Sequence, residues 1–315
     1  MPTRPHREVE HDITVAAPAQ AVFRLIADVE NWPQIFGPTV HAERVAEGDG
    51  WERIRLWATA NGTAKTWESR RELDPAALRV GFRQERSQPP VGGMSGSWEI
   101  EAIAADRCWV RLHHAYHAAT GDPADLAWID KAVDTNSQAE LRALAMHAEA
   151  VTAGAEPLLT FDDTVDIDGR AEDVYDFLNE AGRWPERLPH VARVALEEAT
   201  PGLQILEMDT RTADGAQHTT TSVRVCRPHS RIVYKQIRPP ALMSLHTGSW
   251  LIGERPGGGL SVTSRHTVRI EEANITAVLG DGADLAAARR FVREALGANS
   301  RATLGHAKAY AEGRA

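Results

Sequence analysis

Two histidines at matching places in the two halves of this 315-residue chain are the side chains best suited to acid–base chemistry. An unperturbed imidazole titrates near about 6.5, so at neutral pH it can take a proton from a carbon acid and return it to a departing oxygen. In residues 108–117, strand alternation puts Cys108, Val110, Leu112, His114 and Tyr116 on one face and Trp109, Arg111, His113, Ala115 and His117 on the other. The first face is apolar, so His114 is expected to point inward. In residues 260–270, Leu260, Val262, Ser264, His266, Val268 and Ile270 share a face, which turns His266 inward as well. The same alternation separates His114 from His113 and His117, so the three do not read as a metal site.

An arginine accompanies each histidine. In residues 63–73, Lys65, Trp67, Ser69 and Arg71 lie opposite Thr66, Glu68, Arg70 and Glu72, and Trp67 marks the first face as the inner one. Arg71 would then bring a fixed positive charge and five N–H donors toward a ligand's carbonyl or enolate oxygens; a salt bridge at the mouth of a cavity is the competing reading. Arg224 stands at the equivalent place, with Thr220 where the first copy has Trp67. Asp134 lies seven residues before Leu141 in a helical stretch, a spacing that brings it near the same helix face and within reach of the cavity, unless it is a solvated edge carboxylate. Trp32, Phe36, Trp67, Ser69, Met94, Trp98 and Tyr116, with Trp250 in the second half, are candidates for the walls; each aromatic on its own also fits a packed core.

The elements that must hold these residues recur. At an offset near 152, Trp32-Pro33 falls on Trp184-Pro185, Val22-Phe23 on Val174-Tyr175, Gly96-Ser97-Trp98 on Gly248-Ser249-Trp250, and His114 on His266. With one inserted residue, Ser69 and Arg71 fall on Ser222 and Arg224. Tryptophan is too rare for such matches, in order, to be chance. Each half opens with an alternating strand, 8–15 or 160–167, followed by a short helix. In the first half the helix begins near Pro18 and is expected to stop before Trp32-Pro33. Strands follow, with hairpin signals at Asn61-Gly62 and Asp214-Gly215, and then a long helix over 124–151 or 283–310. The expected architecture is α+β: two tandem helix-grip domains, 1–152 and 153–315. Each has an antiparallel sheet wrapped on its C-terminal helix, with an interior cavity between them.

Composition narrows the function. With 43% hydrophobic residues and a formal charge of -9 spread without long runs, the chain can build two cores and offers no basic stripe for nucleic acid. Cys108 and Cys226 fall in separate halves, which fits a reducing cytoplasm. No leader pattern and no run of eighteen apolar residues is present, so neither export nor a membrane span is expected. The Gly257–Gly259 run precedes a strand and is not a phosphate loop.

Together, the Trp-Pro turn, the Trp67-x-Ser69-x-Arg71 strand, the Gly-Ser-Trp strand and the inward histidine resemble the aromatase/cyclases of bacterial type II polyketide synthases. The tandem arrangement resembles their di-domain subclass. The resemblance implies a START-type helix-grip fold and action on a ketoreduced poly-β-ketone carried by an acyl carrier protein, alongside other synthase subunits. It implies cyclisation, dehydration and aromatisation of the first ring, with no metal or nucleotide cofactor. It assigns catalytic or anchoring roles to His114, Arg71 and Asp134 and pocket positions to Trp32, Trp67, Ser69 and Trp98. Thr39 stands where some relatives have a tyrosine, and the second copy reads Gly297-Ala298-Asn299 near Asp134's counterpart, so its competence is in doubt. A non-catalytic carrier of a lipid, quinone or polyketide in the same fold is the rival reading.

Overall fold

In the computed structural model, residues 6–155, 158–211 and 217–314 are described. The chain divides into two units, 1–156 and 157–315. The Asp214-Gly215 hairpin and Pro157 lie outside the described residues.

In the first unit, β1 (Arg7–Val15) leads into α1 (Ala19–Ala27), a 3-10 turn (Val29–Asn31) and α2 (Trp32–Ile35). Strands β2 (Thr39–Gly48), β3 (Trp51–Ala60), β4 (Thr63–Asp74), β5 (Arg79–Arg86), β6 (Val91–Ala104) and β7 (Arg107–Ala118) follow, then α3 (Pro123–Thr152). The sheet runs β1-β7-β6-β5-β4-β3-β2, antiparallel throughout. Consecutive strands are joined by turns, while the first strand crosses to pair with the last.

The second unit repeats this with β8 (Leu159–Ile167), α4 (Ala171–Asn179), α5 (Trp184–Arg187), β9 (Val191–Thr200), β10 (Leu203–Arg211), β11 (Gln217–Arg227), β12 (Arg231–Arg238), β13 (Met243–Glu254) and β14 (Leu260–Ile270). A short α6 (Ile275–Leu279) precedes the long α7 (Leu285–Glu312). The order β8-β14-β13-β12-β11-β10-β9 matches the first sheet strand for strand. The fold is therefore the tandem helix-grip architecture expected from the repeat. Among the described residues, no helix is long and apolar enough to cross a membrane.

Local chemistry sets the helix ends. Pro18, extended at φ -60 and ψ 134, precedes α1, whose Val22, Phe23 and Ile26 face the core. Asp122 accepts from Ala124 N at the start of α3, and Asp284 accepts from Ala287 N at the start of α7. The first helix ends at Ala27, before Trp32-Pro33 as expected, but the reason differs: Trp32-Pro33 itself begins the α2 turn, with Trp32 helical at φ -55 and ψ -39. Proline at the first turn lacks only an N–H that has no helical partner there, which outweighs its bias against a helical predecessor.

Each grip is solid at one end and hollow at the other. In the first unit Val15, Val22, Ile26, Val110, Trp98 and Ile100 close against Leu141, Leu144 and Ala148 of α3. Toward the other end, small or polar residues of α3 face the sheet and leave space.

Candidate functional site

The first cavity holds about 860 Å³ of empty space, counting its mouth. Strands β2–β7, α2 and α3 form its walls, which include Trp32, Trp67, Gln84, Met94, His114 and Glu140. An inner section continues from these residues to Ser69, Arg71, Phe82 and Trp98.

His114 stands where the two sections meet. Phe82 packs on it edge-on at 5.4 Å between ring centroids, and its Nδ1 is buried with no hydrogen-bond partner. Burial, with smaller contributions from His11 and His113, holds its pKa down to about 3, so the ring is neutral at physiological pH. A neutral imidazole offers one donor and one acceptor, and here Nδ1 is buried without a protein partner.

The Gly-Ser-Trp motif accounts for this arrangement. Gly96 pairs directly with His114 and with Phe82 on the neighbouring strand. A Cβ at Gly96 would overlap the His113 carbonyl and come within 2.6 Å of Phe82 Cζ. Glycine is required because the space above its Cα belongs to the ring that packs on the histidine.

Arg71 is buried at the inner end, 1% exposed. It donates through Nη1 to Glu52 Oε1 at 2.6 Å and to the Ala27 carbonyl at 3.2 Å, and through Nη2 to the Ile26 carbonyl at 2.6 Å. Those carbonyls end α1, where helical partners run out, so Arg71 caps the helix. Its guanidinium also lies 5.0 Å from the Trp32 ring centre. Burial lowers its pKa to about 10, against the opposing pull of Glu52, and it remains charged. The salt bridge weighed for Arg71 is thus present, but at the floor of the cavity and not its mouth. Three of the five guanidinium N–H groups are engaged in these bonds, and two face the remaining surroundings.

Three wall or site expectations are corrected. Asp134 does not reach the cavity: its side chain is 62% exposed and accepts from His11 Nε2 at 3.1 Å and Gln138 Nε2 at 2.9 Å. Besides Trp128, the α3 residues that line the cavity are Ile129, Ala132, Val133, Asn136, Ser137 and Glu140, spaced i, i+3, i+4, i+7, i+8, i+11. Near the solid end the buried positions become Leu141, Leu144, Ala145 and Ala148. The buried stripe winds around the helix, so Leu141 does not predict the orientation of a residue two turns earlier. Glu140 is the cavity's carboxylate, and the six-residue stripe was the signal for it. Tyr116 points inward but lies beyond the hollow, 1% exposed among Ile129 and Val133, donating to Asp130 Oδ1 at 2.7 Å. Phe36 is core, stacked on Trp98 at 5.9 Å and edge-on to Trp32 at 5.2 Å. Trp32, Trp67, Ser69, Met94 and Trp98 do line the cavity, and sequence reasoning missed Gln84, Asn136 and Trp128 beside them.

The second cavity is of similar size, about 850 Å³, with Trp184, Ser222, Arg224, Trp250 and His266 in its walls. His266 sits in a hydrogen-bonded cluster. Its Nε2 is 2.7 Å from Ser300 Oγ, and its Nδ1 is 2.9 Å from His246 Nε2 and 3.2 Å from Tyr234 Oη. Burial lowers His266 to about 4 and His246 well below the ordinary histidine value. Where the first copy has Phe82, Met94 and Glu140, the second has Tyr234, His246 and Thr303.

Residues 6–149 and 159–312 each match the family described as polyketide cyclase / dehydrase and lipid transport. The chain belongs to that family. It is 52% identical, over 94% of its length and 97% of the relative's, to the granaticin polyketide synthase bifunctional cyclase/dehydratase of Streptomyces virginiae. It is 46% identical, over 97% of both chains, to the actinorhodin polyketide synthase bifunctional cyclase/dehydratase of Streptomyces coelicolor. Among solved structures it resembles the di-domain ARO/CYC BexL from the BE-7585A biosynthetic pathway. That match has a TM-score of 0.86 and 58% identity and covers 97% of this chain and 99% of that one. It also resembles the di-domain ARO/CYC StfQ from the steffimycin biosynthetic pathway, with a TM-score of 0.85, 38% identity and the same coverage.

Proposed function

We propose that this chain is a polyketide aromatase/cyclase that closes and aromatises the first ring of a reduced poly-β-ketone delivered by an acyl carrier protein, with the chemistry in the first cavity. The observation that carries the reading is a neutral His114, its Nδ1 without a partner, and a carboxylate, Glu140, in the wall of one largely apolar chamber.

Aldol closure removes a proton from a carbon between two carbonyls, forms a C–C bond to a third carbonyl carbon, and puts a proton on that carbonyl's oxygen. Dehydration then removes an adjacent C–H proton while the hydroxyl leaves with a proton as water. No oxidant or reductant is consumed. In this scheme His114 takes the carbon proton and returns it to oxygen, and Glu140 is the second acid–base group in the same wall. Trp32, Trp67, Met94 and Trp98 hold the chain in one fold, which suppresses competing closures. Arg71 fixes the floor by tying α1 to the sheet and presents its remaining N–H groups to an oxygen at the inner end.

The test is incubation with a carrier-tethered reduced polyketide followed by intact-mass analysis. Loss of water with a new aromatic absorbance is expected. His114→Ala should abolish it, Glu140→Gln should slow it by about 100-fold, and Asp134→Asn should change it by no more than about twofold. Retention of unchanged substrate by the wild-type chain would favour the carrier reading.

A further inference from the structure

The two cavities differ most in how their buried arginine is neutralised. On β3, Glu52 stands opposite Arg71 on β4 and forms a buried ion pair with it. The same register in the second unit puts Gln204 on β10 opposite Arg224 on β11. Gln204 is an amide and turns away: its Nε2 donates to Glu198 Oε2 at 2.8 Å and Asn179 Oδ1 at 3.3 Å, while its Oε1 is left without a partner.

Arg224 is 2% exposed and forms part of the cavity wall. Its Nη2 donates to the Leu178 carbonyl at 2.6 Å, and its carbon centre lies 5.1 Å from the Trp184 ring, as Arg71 does beside Trp32. Its Nη1 is buried with no hydrogen-bond partner. None of the described residues lining this cavity is an aspartate or glutamate. A buried guanidinium with no ion pair of its own, felt only at a distance by the exposed Glu198, is costly, and an orphaned N–H adds to that cost, so a ligand that brings a charge into contact with it is favoured.

From this we infer that the second cavity is a binding site for a flat apolar molecule carrying one ionised oxygen group, with Gln204 as the residue that sets its preference for an anion. Trp184, Trp250, Leu206 and Met208 supply apolar walls. The Tyr234–His246–His266–Ser300 cluster supplies neutral polar groups that add no competing charge. The first cavity, whose arginine is matched by Glu52 and whose wall carries Glu140, lacks this preference. The inference concerns binding alone, so it stands or falls independently of the cyclase reading.

The experiment is equilibrium titration of the full chain with 2-naphthoate, with its neutral isostere 2-naphthamide, and with 2-acetyl-1,3-indanedione, a triketone ionised as its enolate at neutral pH. Wild type is expected to bind both anions at least about tenfold more tightly than the amide, the effect of one charge-assisted hydrogen bond. Gln204→Glu places a carboxylate opposite Arg224 and should abolish the preference while leaving amide binding within about twofold. Arg224→Gln should do the same if it folds; Gln204→Glu keeps the helix-capping arginine in place, so it tests the charge even if that variant fails. The tighter of the two anions identifies carboxylate or enolate as the ligand group. Equal affinity for anion and amide in wild type, or an anion preference that survives Gln204→Glu, would overturn the inference and leave Arg224 as a structural peg.

Discussion

Replacing Glu52 with leucine should destabilise the first domain severely, because it strands a charge in the floor of the cavity. Arg71 is 1% exposed and Glu52 is 3% exposed, and their 2.6 Å bond is the only described ion pair of that guanidinium. Removing one partner of such a pair costs about 3–5 kcal/mol, since the surviving ion must stay charged in a poor solvent or force the structure open. For a domain of this size each kcal/mol lowers the melting temperature by about 2–4 °C, so the first domain's transition should fall by roughly 10 °C. Differential scanning calorimetry on the full chain reads this directly, with the second domain's transition as an internal control. The double variant Glu52→Leu/Arg71→Met removes the stranded charge but also uncaps α1 and unpairs Arg44 from Glu52, so it should recover part of the loss. A single-variant loss below about 1 kcal/mol would refute the reasoning, because it would mean that the α1 carbonyls and the Trp32 face hold Arg71 without help from Glu52.

Acid should weaken both domains through their histidines. His114 and His266 are held at about 3 and about 4 by burial, whereas an unfolded histidine protonates near about 6.5. As pH falls below about 6.5 the unfolded chain takes up protons that the folded one refuses, so stability is full above that value and declines below it. The decline is at most about 1.4 kcal/mol per pH unit for each histidine. Urea midpoints between pH 7.5 and 5 should show it, and His114→Gln should flatten the first domain's share; an unchanged slope in that variant would count against burial of a neutral ring. Gly96→Ala should destabilise by about 1–3 kcal/mol and reduce turnover, since the new methyl displaces Phe82 from His114. Gly248→Ala should destabilise the second domain comparably, because its methyl would meet the Tyr234 ring and stand 2.8 Å from the Arg265 carbonyl.

Much of the fold was legible because the repeat doubled every signal. Trp-Pro, Gly-Ser-Trp and the inward histidine fixed equivalent points in both halves, and period-two alternation told the inner faces of β4, β7 and β14 from the outer ones. Alternation gives the face of a strand but not how far the hollow extends along it, which is why the sequence makes Tyr116 a wall candidate while the structure packs it in the core. Helical periodicity failed for Asp134 because the buried stripe winds over thirty residues. Glu52 was within reach of the sequence. A two-residue turn at Asn61-Gly62 pairs positions whose numbers sum to 123, which places Glu52 opposite Arg71, and Ile54 and Leu56 mark its face as the inner one.

The chamber roof is a single face of α3, and Ala132, Val133 and Ser137 on it are small. Bulk added at those positions would shorten the accessible tunnel without disturbing any sheet pairing or the histidine beneath. The length of the accessible tunnel can therefore diverge among descendants by exchanging a few roof side chains, while the floor is inherited unchanged.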